Sequence, residues 1–155
     1  MNTTTSLATL VYNARVKKGF SQEELADLCQ ITCTEIANIE KGKVTHLRLS
    51  LLGDLSKNLE IAGKLIRETA GYFPSYSAKN NTIGAVVERT RLENFLSKAR
   101  LAEECYTTPL IIRNIESGKT KWPHPGTREA LAKVLNIDFS LVEKNISKKS
   151  SIDKR

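Results

Sequence analysis

The chain has 155 residues, 40% of them apolar and 26% charged, and its 24 Lys and Arg against 17 Asp and Glu give a formal net charge of +7. That length fits one ordinary domain or two small ones, and the apolar share excludes a wholly disordered chain. Three cysteines and two histidines without ligand spacing exclude a disulfide framework or a zinc site, and no apolar run approaches the roughly 18 to 20 residues of a membrane span.

A soluble, cytoplasmic protein with no metal, no cofactor and no membrane partner is therefore expected. The opening MNTTTSLATLVY lacks the basic leader and long apolar core of a signal peptide. Charge is unevenly placed: residues 1–77 hold 9 basic and 8 acidic side chains, the remainder 15 and 9. A positive excess favours an anionic partner such as nucleic acid. Part of it lies in the tail KKSSIDKR, where lysines also serve simply to solvate a chain end.

In chain order, apolar spacing predicts a first helix from about Ser6 to Lys18, with Leu7, Leu10, Val11 and Ala14 on one face. Gly19 ends it. Ser21 starts a second helix, with Glu24 three residues on as a capping box, and Leu25, Ala26 and Cys29 facing inward. Thr32 starts a third in the same way with Glu35; Ile36 and Ile39 face the core and Gly42 stops it. A fourth helix covers roughly Leu49 to Leu59, and a short fifth lies near Gly63 to Thr69. The turn-rich stretch GYFPSYSAKNNT follows.

Beyond it the pattern returns. IANIEKGK, starting at Ile36, comes back as IRNIESGK, starting at Ile112. With a constant offset of 76 residues and no gap, Leu10/Val86 to Leu65/Leu141 contains 18 identities in 56 aligned positions. Ser97 caps the second helix of the later copy and Thr108 its third, where Pro109 takes the first helical position at no cost in hydrogen bonding. Leu131, Val134 and Leu135 pack its fourth. Two copies are too few for a solenoid, so the expected organisation is a first domain over 1–70, a linker over 71–82, a second domain over 83–147 and a basic tail over 148–155.

Two short helices joined by a tight turn, then I-x-N-I-E-x-G-K, resemble the Cro and phage-repressor (XRE-type) helix-turn-helix family. SQEELADLCQITCTEIANIEKGK, Ser21 to Lys43, carries the family pattern well, and SKARLAEECYTTPLIIRNIESGK, Ser97 to Lys119, is more divergent. The resemblance implies an all-α chain of two tandem lambda-repressor-like domains with about five short helices each. It departs from the family at Gln30 and Tyr106, which stand where the turn usually has Gly. A left-handed backbone there strains a non-Gly residue by about 1 kcal/mol, and the angle of the third helix depends on that turn.

The resemblance also implies a sequence-specific regulator of transcription that binds double-stranded DNA. Its third helices would enter the major groove, which admits a helix. Base-reading positions then fall on Cys33, Thr34 and Asn38, and on Pro109, Leu110 and Asn114. Asn pairs with N6 and N7 of adenine, and apolar side chains suit thymine methyl groups. Phosphate contacts fall on Gln22, Lys41, Lys43 and Thr45 in the first copy, and on Lys98, Arg113, Lys119 and Lys121 in the second. The pairs Arg15 with Glu40 and Arg91 with Glu116 tie the first helix to the end of the third in this family, so they are structural. Cys29 and Cys105 are expected in the core. Cys33 is expected to be exposed at a helix N-terminus, where redox sensing is the other role open to it. Trp122 and His124 are expected beneath the loop they sit on.

Repression is the expected sign, since no separate activation or ligand domain is visible. The span from about Thr69 to Ala85, some 16 residues, extends up to about 50 Å, enough for half-sites one DNA turn, roughly 34 Å, apart. Because the reading helices differ, the two half-sites are expected to be unlike. The alternative is an antitoxin-like or other protein-interaction module in which the second copy, through Leu110 and Ile111, grips a regulatory protein; self-association as a homodimer is also open. No P-loop, nucleophile elbow or self-cleaving Ser–Lys arrangement is present, so no catalytic residue and no enzyme are expected.

Overall fold

A computed structural model describes residues 6–44, 46–73 and 82–144. Every regular element among these residues is helical. The chain divides into two compact units at Phe73/Pro74. The first contains α1 (Leu7–Lys18), α2 (Gln22–Leu28), α3 (Cys33–Glu40), α4 (Leu49–Leu59) and α5 (Gly63–Thr69). The second contains α6 (Ile83–Glu93), α7 (Lys98–Glu104), α8 (Pro109–Glu116) and α9 (Pro125–Leu135), and residues 139–144 are also helical.

The caps explain where these helices begin. Ser6, Ser21, Thr32, Thr82, Ser97 and Thr108 each accept a hydrogen bond from a backbone N–H in the first turn. Ser21 with Glu24 and Thr32 with Glu35 complete capping boxes. Pro109 and Pro125 open α8 and α9, where the missing N–H breaks no intrahelical bond.

The helix ends follow the same 76-residue offset as the sequence. α7, α8 and α9 begin and end 76 residues after α2, α3 and α4. Left-handed backbone recurs in step: Gln30 and Tyr106 both have φ of 52°, and Gly42 is matched by Gly118, Glu60 by Asn136 and Gly19 by Phe95. The turn before each third helix thus keeps the left-handed form usual for Gly, with Gln30 and Tyr106 accepting the strain. Gly19 adopts φ 76° without a side chain, whereas Phe95 takes a left-handed conformation, φ 54°, with one.

In unit 1, α1 packs on α3, α4 and α5, and α2 packs on α3 and α4. Leu25, Ile36, Leu52, Leu55 and Ile66 are fully enclosed, each stabilising the unit by about 1.5–3 kcal/mol. In unit 2, α6 and α7 both pack on α8 and α9, around Leu101, Ile112, Ile115 and Leu131. Val134 packs against that cluster from its edge. The cores differ at one telling place. Enclosed Leu52 corresponds to Arg128, which lies half-buried and pairs with Glu143 at 2.8 Å.

Helices α6 and α8 approach closely at Gly84. A Cβ built there would lie 2.1 Å from the carbonyl oxygen of Ile115. The corresponding residue of α1 is Ala8, so the first unit tolerates a methyl where the second does not. An exposed helical Gly→Ala change ordinarily stabilises by about 1 kcal/mol. Here the sign reverses: Gly84→Ala destabilises unit 2 by about 1–3 kcal/mol, the usual cost of overpacking. Urea unfolding followed by the emission of Trp122, the single tryptophan, reads unit 2 directly; an unchanged or raised midpoint would contradict the close approach.

Candidate nucleic-acid interface

In unit 1 the three helices α1, α2 and α3 meet at one carboxylate. Arg15 of α1 donates from Nε to Glu40 Oε1 at 2.6 Å and from Nη2 to Oε2 at 3.0 Å. Its Nη1 donates to the carbonyl of Phe20 at 2.7 Å, in the loop before α2. Gln22, the first residue of α2, donates from Nε2 to Glu40 Oε2 at 2.7 Å. Glu40 is the last residue of α3, so its carboxylate fixes that helix against both others. Burial pushes the Glu40 carboxyl up, but the hydrogen bonds from Arg15 and Gln22 and the charge of Arg15 outweigh it and hold it below its ordinary value.

Unit 2 repeats the device with one change. Arg91 donates to both Glu116 oxygens, at 2.6 and 3.2 Å, and to the carbonyl of Leu96 at 2.7 Å. The place of Gln22 is taken by Lys98, whose Nζ lies 3.4 Å from Glu116 Oε2. Both side chains of the Arg91–Glu116 pair are almost wholly buried.

With the inner side of each third helix fixed by isoleucines, Ile36 and Ile39 or Ile112 and Ile115, the outer side is set by helical spacing. In α3, Thr34, Ala37 and Asn38 share the outer face; in α8, Leu110, Arg113 and Asn114 do so. Thr34, Pro109, Leu110 and Arg113 are exposed, and Asn38 and Asn114 are half-buried. Among the described residues, the side-chain amides of Asn38 and Asn114 have no protein hydrogen-bond partner, in contrast with Asn58 and Asn94, which donate to carbonyls of Leu28 and Thr90.

Around these faces stand exposed cations. Lys41 and Lys43 follow α3; Lys119 and Lys121 follow α8, and Arg113 lies on it. None of the five has a side-chain ion pair or hydrogen bond among the described residues. Gln22 and Lys98, expected as phosphate donors, instead engage the buried glutamates with one donor each. Thr45 lies outside the described residues.

Three sequence expectations need adjustment. Cys33 is half-buried rather than exposed, and lies within electrostatic range of Arg15. Trp122 stays 59% exposed, and the adjacent Pro123 is the buried residue of that loop. His124 is exposed as well, and its Nδ1 accepts from the Gly126 N–H at 3.3 Å to cap α9. Cys29 and Cys105 are buried, and burial raises both thiol pKa values.

The loops after the third helices also differ. The carbonyl of Asn38 accepts from the N–H of Lys43, whereas that of Asn114 accepts from Thr120, one place further in the repeat. Among the described residues no His, Cys, Asp and Glu group is placed to hold a metal, and no helix is long and apolar enough to cross a membrane. Residues 11–63, from α1 to the start of α5, match the family model described as Helix-turn-helix. No curated protein and no solved structure matches the chain.

Two outcomes follow from the glutamates. Arg91→Ala leaves Glu116 buried without its main partner and costs about 3–5 kcal/mol, while Arg91→Met with Glu116→Leu recovers most of that loss; the urea midpoint of Trp122 emission checks both. In unit 1, Glu24, Glu35 and Glu40 all have lowered pKa values, the first two held by backbone N–H donation from Ser21 and Thr32. Their stabilisation is complete above the ordinary glutamate value of about 4.3 and is lost as pH falls through the lowered folded values. Amide signals of unit 1 followed by NMR from pH 6 to pH 2 should therefore show acid weakening. Glu40→Gln should remove its share of that pH dependence.

Proposed function

From a first unit that matches the helix-turn-helix family over residues 11–63, a DNA-binding regulator type, we propose that the chain is a sequence-specific transcriptional repressor with two reading heads. In this reading the second unit is a second helix-turn-helix domain. The two third helices each lie in the major groove of double-stranded DNA, on unlike half-sites. Repression needs only occupancy of the duplex, which two heads supply without a catalytic or ligand-sensing part. The protein would act in the cytoplasm, on the nucleoid.

One observation carries the proposal. Each third helix offers, at the same place 76 residues apart, a side-chain amide with no protein partner, on a face followed by free lysines. An amide is the group that pairs with adenine, and lysine ammoniums suit phosphates. Asn38, Asn114, Thr34 and Leu110 then read bases, with Cys33 and Pro109 at the helix starts. Lys41, Lys43, Arg113, Lys119 and Lys121 hold phosphates, and Gln22 and Lys98 add a donor each where they remain free of the glutamates. Joining two heads in one chain raises the local concentration of the second once the first is bound.

Selection of duplexes from a random pool tests this. The proposal expects one enriched asymmetric sequence with two half-sites. On it, Asn38→Ala should cost about 1–3 kcal/mol and relax preference at one base pair, whereas Lys43→Ala should weaken all duplexes alike. Recovery of no enriched sequence, or equal losses from both variants on every duplex, would remove the reading role.

A further inference from the structure

The two outward faces differ in kind. Positions occupied by Gln30, Thr34 and Glu35 in unit 1 hold Tyr106, Leu110 and Ile111 in unit 2, and these three are 97%, 55% and 40% exposed. The core does not require them, since Ile112 and Ile115 fill it. Glu35 places a carboxylate on the first turn of α3, held to Thr32 by its N–H and hydroxyl at 2.8 and 2.9 Å. The first turn of α8 has no acidic residue. An anion-bearing polar start has thus become an apolar one without negative charge.

Cations flank this apolar pair. Arg113 shares the outer face with Leu110 and Asn114, and Lys119 and Lys121 follow, all exposed and free of protein partners among the described residues. Such a surface fits a polyanion that carries apolar groups between its charges. In a major groove that group is the C5-methyl of thymine. Resting on the reading of α8 as a DNA-contacting helix, we infer that Leu110 and Ile111 are specificity-determining residues that recognise thymine methyl groups. The half-site of unit 2 is accordingly richer in A·T pairs than that of unit 1, and Asn114 takes an adenine beside those thymines. Glu35, held in its capping box, offers unit 1 no such contact, and Thr34 presents a single methyl beside a hydroxyl.

Deoxyuridine supplies a direct test, because it pairs as thymine does and lacks only the methyl. The full chain is titrated with its selected duplex, each thymine replaced in turn. Binding should weaken about fourfold at one or two neighbouring positions of one half-site, as expected for one methyl removed from water. The double variant Leu110→Ala with Ile111→Ala should lose that dependence while keeping its response to changes in the other half-site. Both residues are exposed, and an unchanged unfolding midpoint of Trp122 emission confirms that unit 2 stays folded. A chain that still prefers its selected duplex but ignores every deoxyuridine, or a double variant that keeps the wild-type response, overturns the inference and leaves the proposed function standing. Loss of self-association or of a bound protein in the double variant, with unaltered DNA affinity, overturns it in favour of a protein-docking face. If no duplex is preferred over scrambled sequence, the proposed function itself falls.

Discussion

A buried carboxylate organises each unit. Glu40 receives Arg15 from α1 and Gln22 from α2, and Glu116 receives Arg91 and Lys98 in the same manner. Helices of seven or eight residues, such as α2 and α3, are too short to hold themselves in water. Their orientation is therefore a tertiary matter, and a bidentate guanidinium supplies direction as well as attraction. Apolar packing alone, between side chains as interchangeable as Ile36 and Leu25, would leave the rotation of the third helix less strictly set. The outward placing of Asn38 and Asn114 depends on that rotation.

The same frame carries different chemistry on its two outer faces. In α3 the outer side is small and polar, with a carboxylate turned back into the capping box. In α8 it is larger, apolar and cationic. The Arg–Glu pair, the outward Asn and the caps Ser21/Ser97 and Thr32/Thr108 are the same in both units, while the capping-box glutamates Glu24 and Glu35 are replaced by Arg100 and Ile111. The one shared outward side chain, Asn, fulfils no structural bond within the protein.

Much of this was legible from the letters. Ser21 with Glu24 and Thr32 with Glu35 announce helix starts because a cap is a local event, settled within four residues. The 76-residue offset then carried α2, α3 and α4 onto α7, α8 and α9. What escaped depended on distance in space. Gln22 and Lys98 read as surface donors, and only the fold brings them to a glutamate 18 residues away; that both are donor-bearing was the available clue. The need for Gly at position 84 comes from Ile115, 31 residues on, and shows only in the fold. Gln30 and Tyr106 stand where the turn usually has Gly, yet both take the left-handed backbone despite its strain. Trp122, expected beneath its loop, lies outside it, and the buried residue there is Pro123.

Two similar units on one chain face a hazard during synthesis: a helix from one copy can dock into the other and trap a misassembled form. The mismatches at Ala8/Gly84 and Leu52/Arg128 work against that exchange. α1 cannot take the seat of α6 against α8 without driving the methyl of Ala8 into a backbone carbonyl. α9 in the seat of α4 would bring Arg128 to a site that encloses leucine completely, a burial of charge without its partner Glu143. Divergence inside the cores thus gives each helix an address.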